Sequence, residues 1–299
     1  MQRIRLNDHV ELSRIAYGCW RLADSGDGGA AAVRRKIDLC LEQGITTFDH
    51  ADIYGNYACE ALFGEAVKAD RGLAKKIEIV AKCGIMLVSD RRPGTRVKHY
   101  DTGAAHVRAS VDRSLSNLGV DVIDVLLIHR QDPLMDHEQL GACLDSLIAQ
   151  GKVRCAGVSN FMPWDVELLQ AGMKNRLVTN QIELSLLHLA PFVDGQIAFA
   201  QRTKMPLMAW SPLAGGALFG GGDAAKRLAP LLDAKAKAHG VDATAVAIGW
   251  LLHHPANIIP VLGTNDAARV ARIVDATKVT FDTQGWYELY AAALGGDVP

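Results

Sequence analysis

The sequence predicts an α/β protein whose parallel strands close into a single (β/α)8 TIM barrel, and three observations lead there. Short apolar runs alternate with stretches of helical periodicity along all 299 residues. The runs are continuous rather than alternating apolar with polar, as expected of strands covered on both faces. About eight strand-then-helix units fit this length, a number that favours closure over an open sheet. No composition shift or Pro/Ser-rich linker divides the chain, so residues 1–299 are read as one domain.

The elements follow in order. Arg3-Ile4-Arg5-Leu6 and Val10-Glu11-Leu12 flank Asn7-Asp8 and predict an N-terminal β-hairpin. Arg14 to Trp20 is the first barrel strand. After a Gly-rich loop, Val33, Ile37, Cys40 and Leu41 share one face of a helix from Ala30 to Gln43 that Gly44 stops. Ile45 to Asp49 is the second strand, with Ala61, Leu62, Phe63 and Val67 in the helix after it. Ile77 to Lys82 is the third; a polar loop holding Arg91-Arg92-Pro93-Gly94 leads to a helix marked by Val107, Val111, Leu115 and Leu118. Val122 to His129 is the fourth, followed by a helix with Leu140, Cys143, Leu144, Leu147 and Ile148. Val153 to Ser159, Val178 to Glu183, Pro206 to Ser211 and Ile258 to Leu262 complete the strands, and Thr283 to Leu294 is an extra C-terminal helix packed outside.

Composition narrows the function classes. A net charge of -1 with no basic cluster argues against nucleic acid as a partner. The chain has no long apolar run and opens on no signal peptide, which predicts a cytoplasmic protein with no membrane partner, a monomer or weak oligomer. Cys19, Cys40, Cys59, Cys83, Cys143 and Cys155 form no C-x-x-C pair and lie in apolar segments, so they are read as reduced, buried small residues. No metal site is expected: His253-His254 and Asp136-His137-Glu138 lack the spacing and read as helix-end residues.

Nearly every expected strand ends in a residue too polar for a core: Asp49, Lys82, His129, Ser159 with Asn160, Gln181 with Glu183, and Ser211 after Trp210. Singly, each has a plainer reading as a cap or a surface side chain. Together they converge, because all strand ends of a parallel barrel open on one face, where its active sites lie. Phe48-Asp49-His50-Ala51-Asp52-Ile53-Tyr54-Gly55 adds a phenol five residues after Asp49. A tyrosine titrates near pH ~10, so it serves as an acid at neutral pH best when a nearby cation lowers that value; Lys82 is the candidate cation and Asp49 its anchor.

Three motifs mislead. Gly26-Asp27-Gly28-Gly29-Ala30-Ala31 fits G-x-G-x-x-A, but polar residues separate it from the strand. Gly157-Val158-Ser159 starts like a nucleophile elbow and then places Phe161 where glycine is needed. Gly215 and Gly220 have P-loop spacing, yet Gly221-Gly222 stand in place of Lys-Ser/Thr.

The segments Gly18-Cys19-Trp20, Phe48 to Gly55, Ala81-Lys82-Cys83-Gly84, Ile128-His129-Arg130, Gly157 to Phe161, Asn180-Gln181-Ile182-Glu183, Trp210-Ser211-Pro212-Leu213 and Ile259 to Thr264 resemble the aldo/keto reductase superfamily, in its bacterial NADP-dependent oxidoreductase branch. The matches run in family order over almost the whole chain. The resemblance implies a barrel that reduces an aldehyde or ketone with NADPH, NADH being second choice. It implies Tyr54 as general acid, Lys82 as the cation that lowers its pKa, Asp49 as the partner of Lys82, and His129 as the group that orients the carbonyl. It further implies that Ser159, Asn160 and Gln181 hold the nicotinamide carboxamide and that Trp210 stacks on the ring. Ser211, Leu213, Gly215 and Gly216 would pass along the pyrophosphate, while Gly263, Thr264, Asn265 and Arg269 surround the adenosine 2′-phosphate. Trp20 joins the cofactor-side residues and helps wall the substrate pocket. Two positions depart from the pattern: Gly263 replaces a common lysine, and Arg272 a later acid. Two other classes stay open, a cofactor-binding regulatory or sensing subunit with little turnover, and a cofactor-free aldolase or isomerase using Lys82 for a Schiff base.

Overall fold

In the computed structural model, which describes residues 1–24 and 29–298, eight parallel strands form a closed barrel. They are β1 (Ala16–Gly18), β2 (Thr47–Asp49), β3 (Glu78–Cys83), β4 (Ile123–Ile128), β5 (Val153–Ser159), β6 (Asn180–Glu183), β7 (Leu207–Trp210) and β8 (Ile259–Leu262). Each pairs with its sequence neighbours, and β8 closes on β1 through Val261 opposite Ala16. The strands are shorter than their apolar runs. Ile15, for example, is fully buried but lies outside β1. Of the glycine motif, Gly26, Asp27 and Gly28 lie outside the described residues.

The period-two pleat sorts side chains into two layers. Ala16, Val80, Val125, Leu127, Cys155, Met208, Ile259 and Val261 fill the barrel interior, and Ile4, Val10 and Leu12 join that cluster from below. These three come from the expected hairpin, Arg3–Arg5 paired antiparallel with Glu11–Ser13. Its turn is set by Asn7, whose Oδ1 accepts the N–H groups of His9 and Val10, both at 2.8 Å. Gly157 is required in this interior: a Cβ there would lie 2.6 Å from the Thr179 carbonyl oxygen. The second layer lies between strands and helices and contains Phe48, Phe63, Leu126, Leu144 and Leu251, among others.

The helices are α1 (Ala30–Glu42), α2 (Cys59–Ala69), α3 (Ala104–Leu118), α4 (His137–Ala149), α5 (Pro163–Ala171), α6 (Gln196–Thr203), α7 (Asp223–His239), α8 (Ala243–His253), α9 (Ala267–Val270) and α10 (Thr283–Leu294). Asp136 caps α4 by accepting from Gln139 N at 3.0 Å, and His253 ends α8, as their sequence contexts suggest. Two helices, α7 and α8, stand between β7 and β8, where one was expected. The outer helix α10 docks through Trp286, which stacks on buried Trp250 at 4.6 Å and 11°. Each indole N–H donates to the other residue's carbonyl, at 3.0 and 3.1 Å. All six cysteines are buried free thiols. Among the described residues no helix is long and apolar enough to cross a membrane.

Candidate active site

The same pleat that turns Val80 and Leu127 inward carries Asp49, Lys82 and His129 to the C-terminal mouth of the barrel. Asp49 ends β2 opposite Val80, and Lys82 on β3 lies opposite Leu127 on β4. Lys82 Nζ donates to both Asp49 oxygens at 2.7 Å, to the His50 carbonyl at 3.0 Å and to Tyr54 Oη at 3.0 Å. Lysine has three ammonium protons, and these acceptors more than use them. Lys82 and Asp49 are 1% and 2% exposed, so the pair is held without water and breaking it would strand a buried charge.

Tyr54 is positioned by a turn over Tyr54–Tyr57 that includes left-handed backbone at Gly55, Asn56 and Tyr57. A Cβ on Gly55 would lie 2.6 Å from Cys59 Sγ, so glycine is fixed there by space as well as by its φ of 57°. The ammonium lies 4.9 Å from the phenol ring centroid. His129 meets the same ring edge-on, centroids 6.0 Å apart at 81°. Its backbone is fixed on both sides: the N–H donates to the Cys83 carbonyl at 2.9 Å, and the carbonyl accepts from Asn160 Nδ2 at 3.2 Å.

The electrostatics differ in one respect from the sequence expectation. Burial dominates at Tyr54 and pushes the phenol up to about 12, with Lys82 pulling against it. The cation therefore offsets burial instead of lowering the phenol below its ordinary value. Burial would depress Lys82, but Asp49 and then Tyr54 outweigh it and the net displacement is upward, so the ammonium stays charged. Burial first, then Lys82 and Arg130, hold His129 far below the usual imidazole value and thus neutral.

A second group of side chains adjoins the first. Gln181, 2% exposed on β6, donates from Nε2 to Asp49 Oδ1 at 2.7 Å. Its backbone carbonyl accepts from Ser159 Oγ and Asn160 N, both at 2.9 Å. Asn160, at φ 61°, donates from Nδ2 to Ser159 Oγ at 2.8 Å and accepts from Trp210 Nε1 at 2.9 Å. Ser159 and Asn160 are thus not helix caps; α5 begins later, with Met162 before Pro163. This set of hydroxyl, amides and an indole suits a carboxamide-bearing aromatic ring. Beyond it, Ser211 and Ala214 have positive φ, and the Ala214 N–H donates to the Ser211 carbonyl at 2.7 Å. Gly215 and Gly216 follow at φ 65° and 103°; a Cβ on either meets nothing within 4 Å, leaving an open bed beside the Leu213 turn. Trp20 is 57% exposed at the mouth.

The residues assigned to the adenosine phosphate gather at the β8 end, engaged mainly with Asp266 and the Arg21 backbone. Thr264 Oγ1 accepts from Asp266 N at 3.2 Å, and Asn265 Nδ2 donates to the Arg21 carbonyl at 2.5 Å. Asp266 caps α9, accepting from Ala268 and Arg269 N–H groups, and lies 3.7 Å from Arg269 Nε. Gly263 has a steric reason: a Cβ there would lie 3.0 Å from the Gly18 carbonyl oxygen. Arg272 turns away toward Asp275 and Asp242, at 3.2 and 3.9 Å. Sequence reasoning gave no role to Asp266, although Asn265-Asp266 before Ala267-Ala268-Arg269 has the form of a capped helix start. It also missed the His50 carbonyl, which no side-chain pattern reveals.

A family model described as the aldo/keto reductase family matches residues 14–293. The chain is 55% identical over 298 residues, the whole of both chains, to a 6-dehydroglucose reductase of Agrobacterium fabrum. It is 38% identical to a 6-dehydroglucose reductase of Novosphingobium aromaticivorans, over 97% of this chain and 94% of that one. The solved structure of a glycerol dehydrogenase from Gluconobacter oxydans shares the fold with a TM-score of 0.86 at 22% identity, covering 99% of this chain and 97% of that one.

Proposed function

The chain belongs to the aldo/keto reductase family of oxidoreductases, and from that premise we propose that it reduces an aldehyde or ketone to an alcohol with NADPH, Tyr54 delivering the proton. The observation that carries this reading is Lys82 Nζ held between both Asp49 oxygens and the Tyr54 phenol.

Bound nicotinamide supplies the hydride to the carbonyl carbon. As charge builds on the carbonyl oxygen, Tyr54 gives up its proton to it, and the phenolate left behind is stabilised by the ammonium of Lys82. Asp49 keeps that ammonium charged and fixed. His129, held neutral, orients the carbonyl without competing as an acid. Positioned proton transfer of this kind is worth ~10²- to 10⁴-fold, or about 3 to 5 kcal/mol. Ser159, Asn160 and Gln181 hold the carboxamide, with Trp210 against the ring and Trp20 at the edge of the pocket. Ser211, Leu213, Gly215 and Gly216 bed the pyrophosphate, and Gly263, Thr264, Asn265 and Arg269 receive the adenosine end. Arg269 supports NADPH over NADH, since a guanidinium suits a phosphate; Asp266 beside it works against that preference.

The charged, ion-paired state of Lys82 weighs against a Schiff-base enzyme, which needs a free amine. The names of the two relatives make 6-dehydroglucose the first aldehyde to test. NADPH consumption is measured with it and with glyceraldehyde, propanal and benzaldehyde. Turnover supports the reading. Quenching of tryptophan fluorescence by NADPH without turnover of any aldehyde overturns it in favour of a cofactor-binding regulatory subunit.

A further inference from the structure

Three arginines at the mouth of the barrel lie over aromatic rings. Arg21 is 5.3 Å from the Trp20 ring centroid, Arg92 5.0 Å from Tyr57 and Arg130 5.8 Å from Trp210. Among the described residues none of the three guanidinium groups has an ion-pair partner. Arg21 is exposed, and Arg92 is half-buried in the polar loop after β3. Arg130 is half-buried and stands directly after His129.

The nearest acid in sequence is already engaged. Asp132 accepts from Thr102 Oγ1 at 2.8 Å and from Leu134 N at 2.9 Å. Glu183, at the end of β6, faces His188 at 4.0 Å. Stacking on an indole compensates a half-desolvated guanidinium only in part and satisfies none of its five N–H donors. Trp210 is itself fixed through Asn160, and His129 through Cys83 and Asn160. A planar donor fork therefore lies over Trp210, on the residue that follows His129, with no acceptor among the described residues.

Building on the reductase reading, we propose that Arg130 is a specificity-determining residue. It donates hydrogen bonds to oxygen atoms the substrate carries beyond its carbonyl, so hydroxyl- or carboxylate-bearing aldehydes are favoured over alkyl aldehydes of the same length. A hydrogen bond to a charged group changes affinity by about 10- to 100-fold, and a contact equal in ground and transition states appears in KM.

The test compares kcat/KM for glyceraldehyde against propanal and for succinic semialdehyde against butanal, in the full chain and in Arg130→Met and Arg130→Lys. A ratio of about 10 to 100 in the first pair assigns the contact to hydroxyls, and in the second pair to a carboxylate. In Arg130→Met that ratio falls toward one through KM. Arg130→Lys, keeping the charge without the fork, retains part of it. Ratios near one in the parent chain, or equal losses across all four aldehydes in Arg130→Met, overturn the proposal while leaving the reductase reading standing. Turnover of none of the four overturns the proposal, and removes the reductase reading as well only where 6-dehydroglucose is not turned over either.

Discussion

Gln181 and Asp49, 132 residues apart in sequence, are joined by a 2.7 Å hydrogen bond from the amide Nε2 to the carboxylate Oδ1. That bond makes one continuous network of Trp210, Asn160, Ser159, Gln181, Asp49, Lys82 and Tyr54. A residue proposed to hold the cofactor thus also steadies the anchor of the proton donor.

Gln181→Met should therefore impair both cofactor binding and chemistry. Removing a donor from a buried carboxylate costs about 1.5 to 3 kcal/mol, roughly 10- to 100-fold in kcat/KM. Steady-state kinetics with a fluorescence titration of NADPH separate the two effects. A change confined to NADPH affinity, with kcat intact, would show that the Asp49 contact has no part in turnover.

The Lys82–Asp49 pair sets a stability prediction. Lys82→Met leaves a buried carboxylate without its cation and should cost about 3 to 5 kcal/mol in urea unfolding. Asp49→Asn combined with Lys82→Met should recover much of that loss while remaining inactive. Equal destabilisation in the single and double variants would place the loss in packing instead of charge.

His50 sets a pH prediction. It is fully buried, both ring nitrogens lack partners, and burial, then Lys82, pulls its folded value down to about 3 from 6.5. Below pH 6.5 the unfolded chain binds a proton that the folded chain refuses. Stability therefore falls as pH drops from 6.5 toward 3, by up to ~1.4 kcal/mol per pH unit from this group. His50→Leu should flatten the acid side of the stability–pH curve by about that slope, read from unfolding at pH 5 and pH 7. An unchanged curve would mean the imidazole is not held neutral.

At the β8 end, Asp266 sits 3.7 Å from Arg269 in an exposed pair. Asp266→Asn should free Arg269 and raise the NADPH-to-NADH ratio of kcat/KM by about two- to fivefold. A falling ratio would show that Asp266 holds Arg269 in place for the phosphate.

Much of this site was legible in the sequence because a barrel strand is an apolar run, and a polar residue closing it must face the mouth or a helix. Asp49, Lys82, His129, Ser159 and Gln181 announce themselves that way. Their partners do not, since a bond such as Gln181 to Asp49 depends on barrel register, which one strand alone does not encode. The phenol's upward displacement was also hidden. Sequence supplied the cation beside Tyr54 but not the burial that outweighs it. The helices α7 and α8, standing where one was expected, part at Gly240, held in the left-handed conformation, and at Asp242, whose side chain caps α8.

The most direct test is Tyr54→Phe, which removes one oxygen and keeps the ring against His129 and Lys82. Turnover of a good aldehyde should fall by about 10²- to 10⁴-fold, with NADPH quenching of tryptophan fluorescence retained. Turnover at the parent rate would mean that another group supplies the proton.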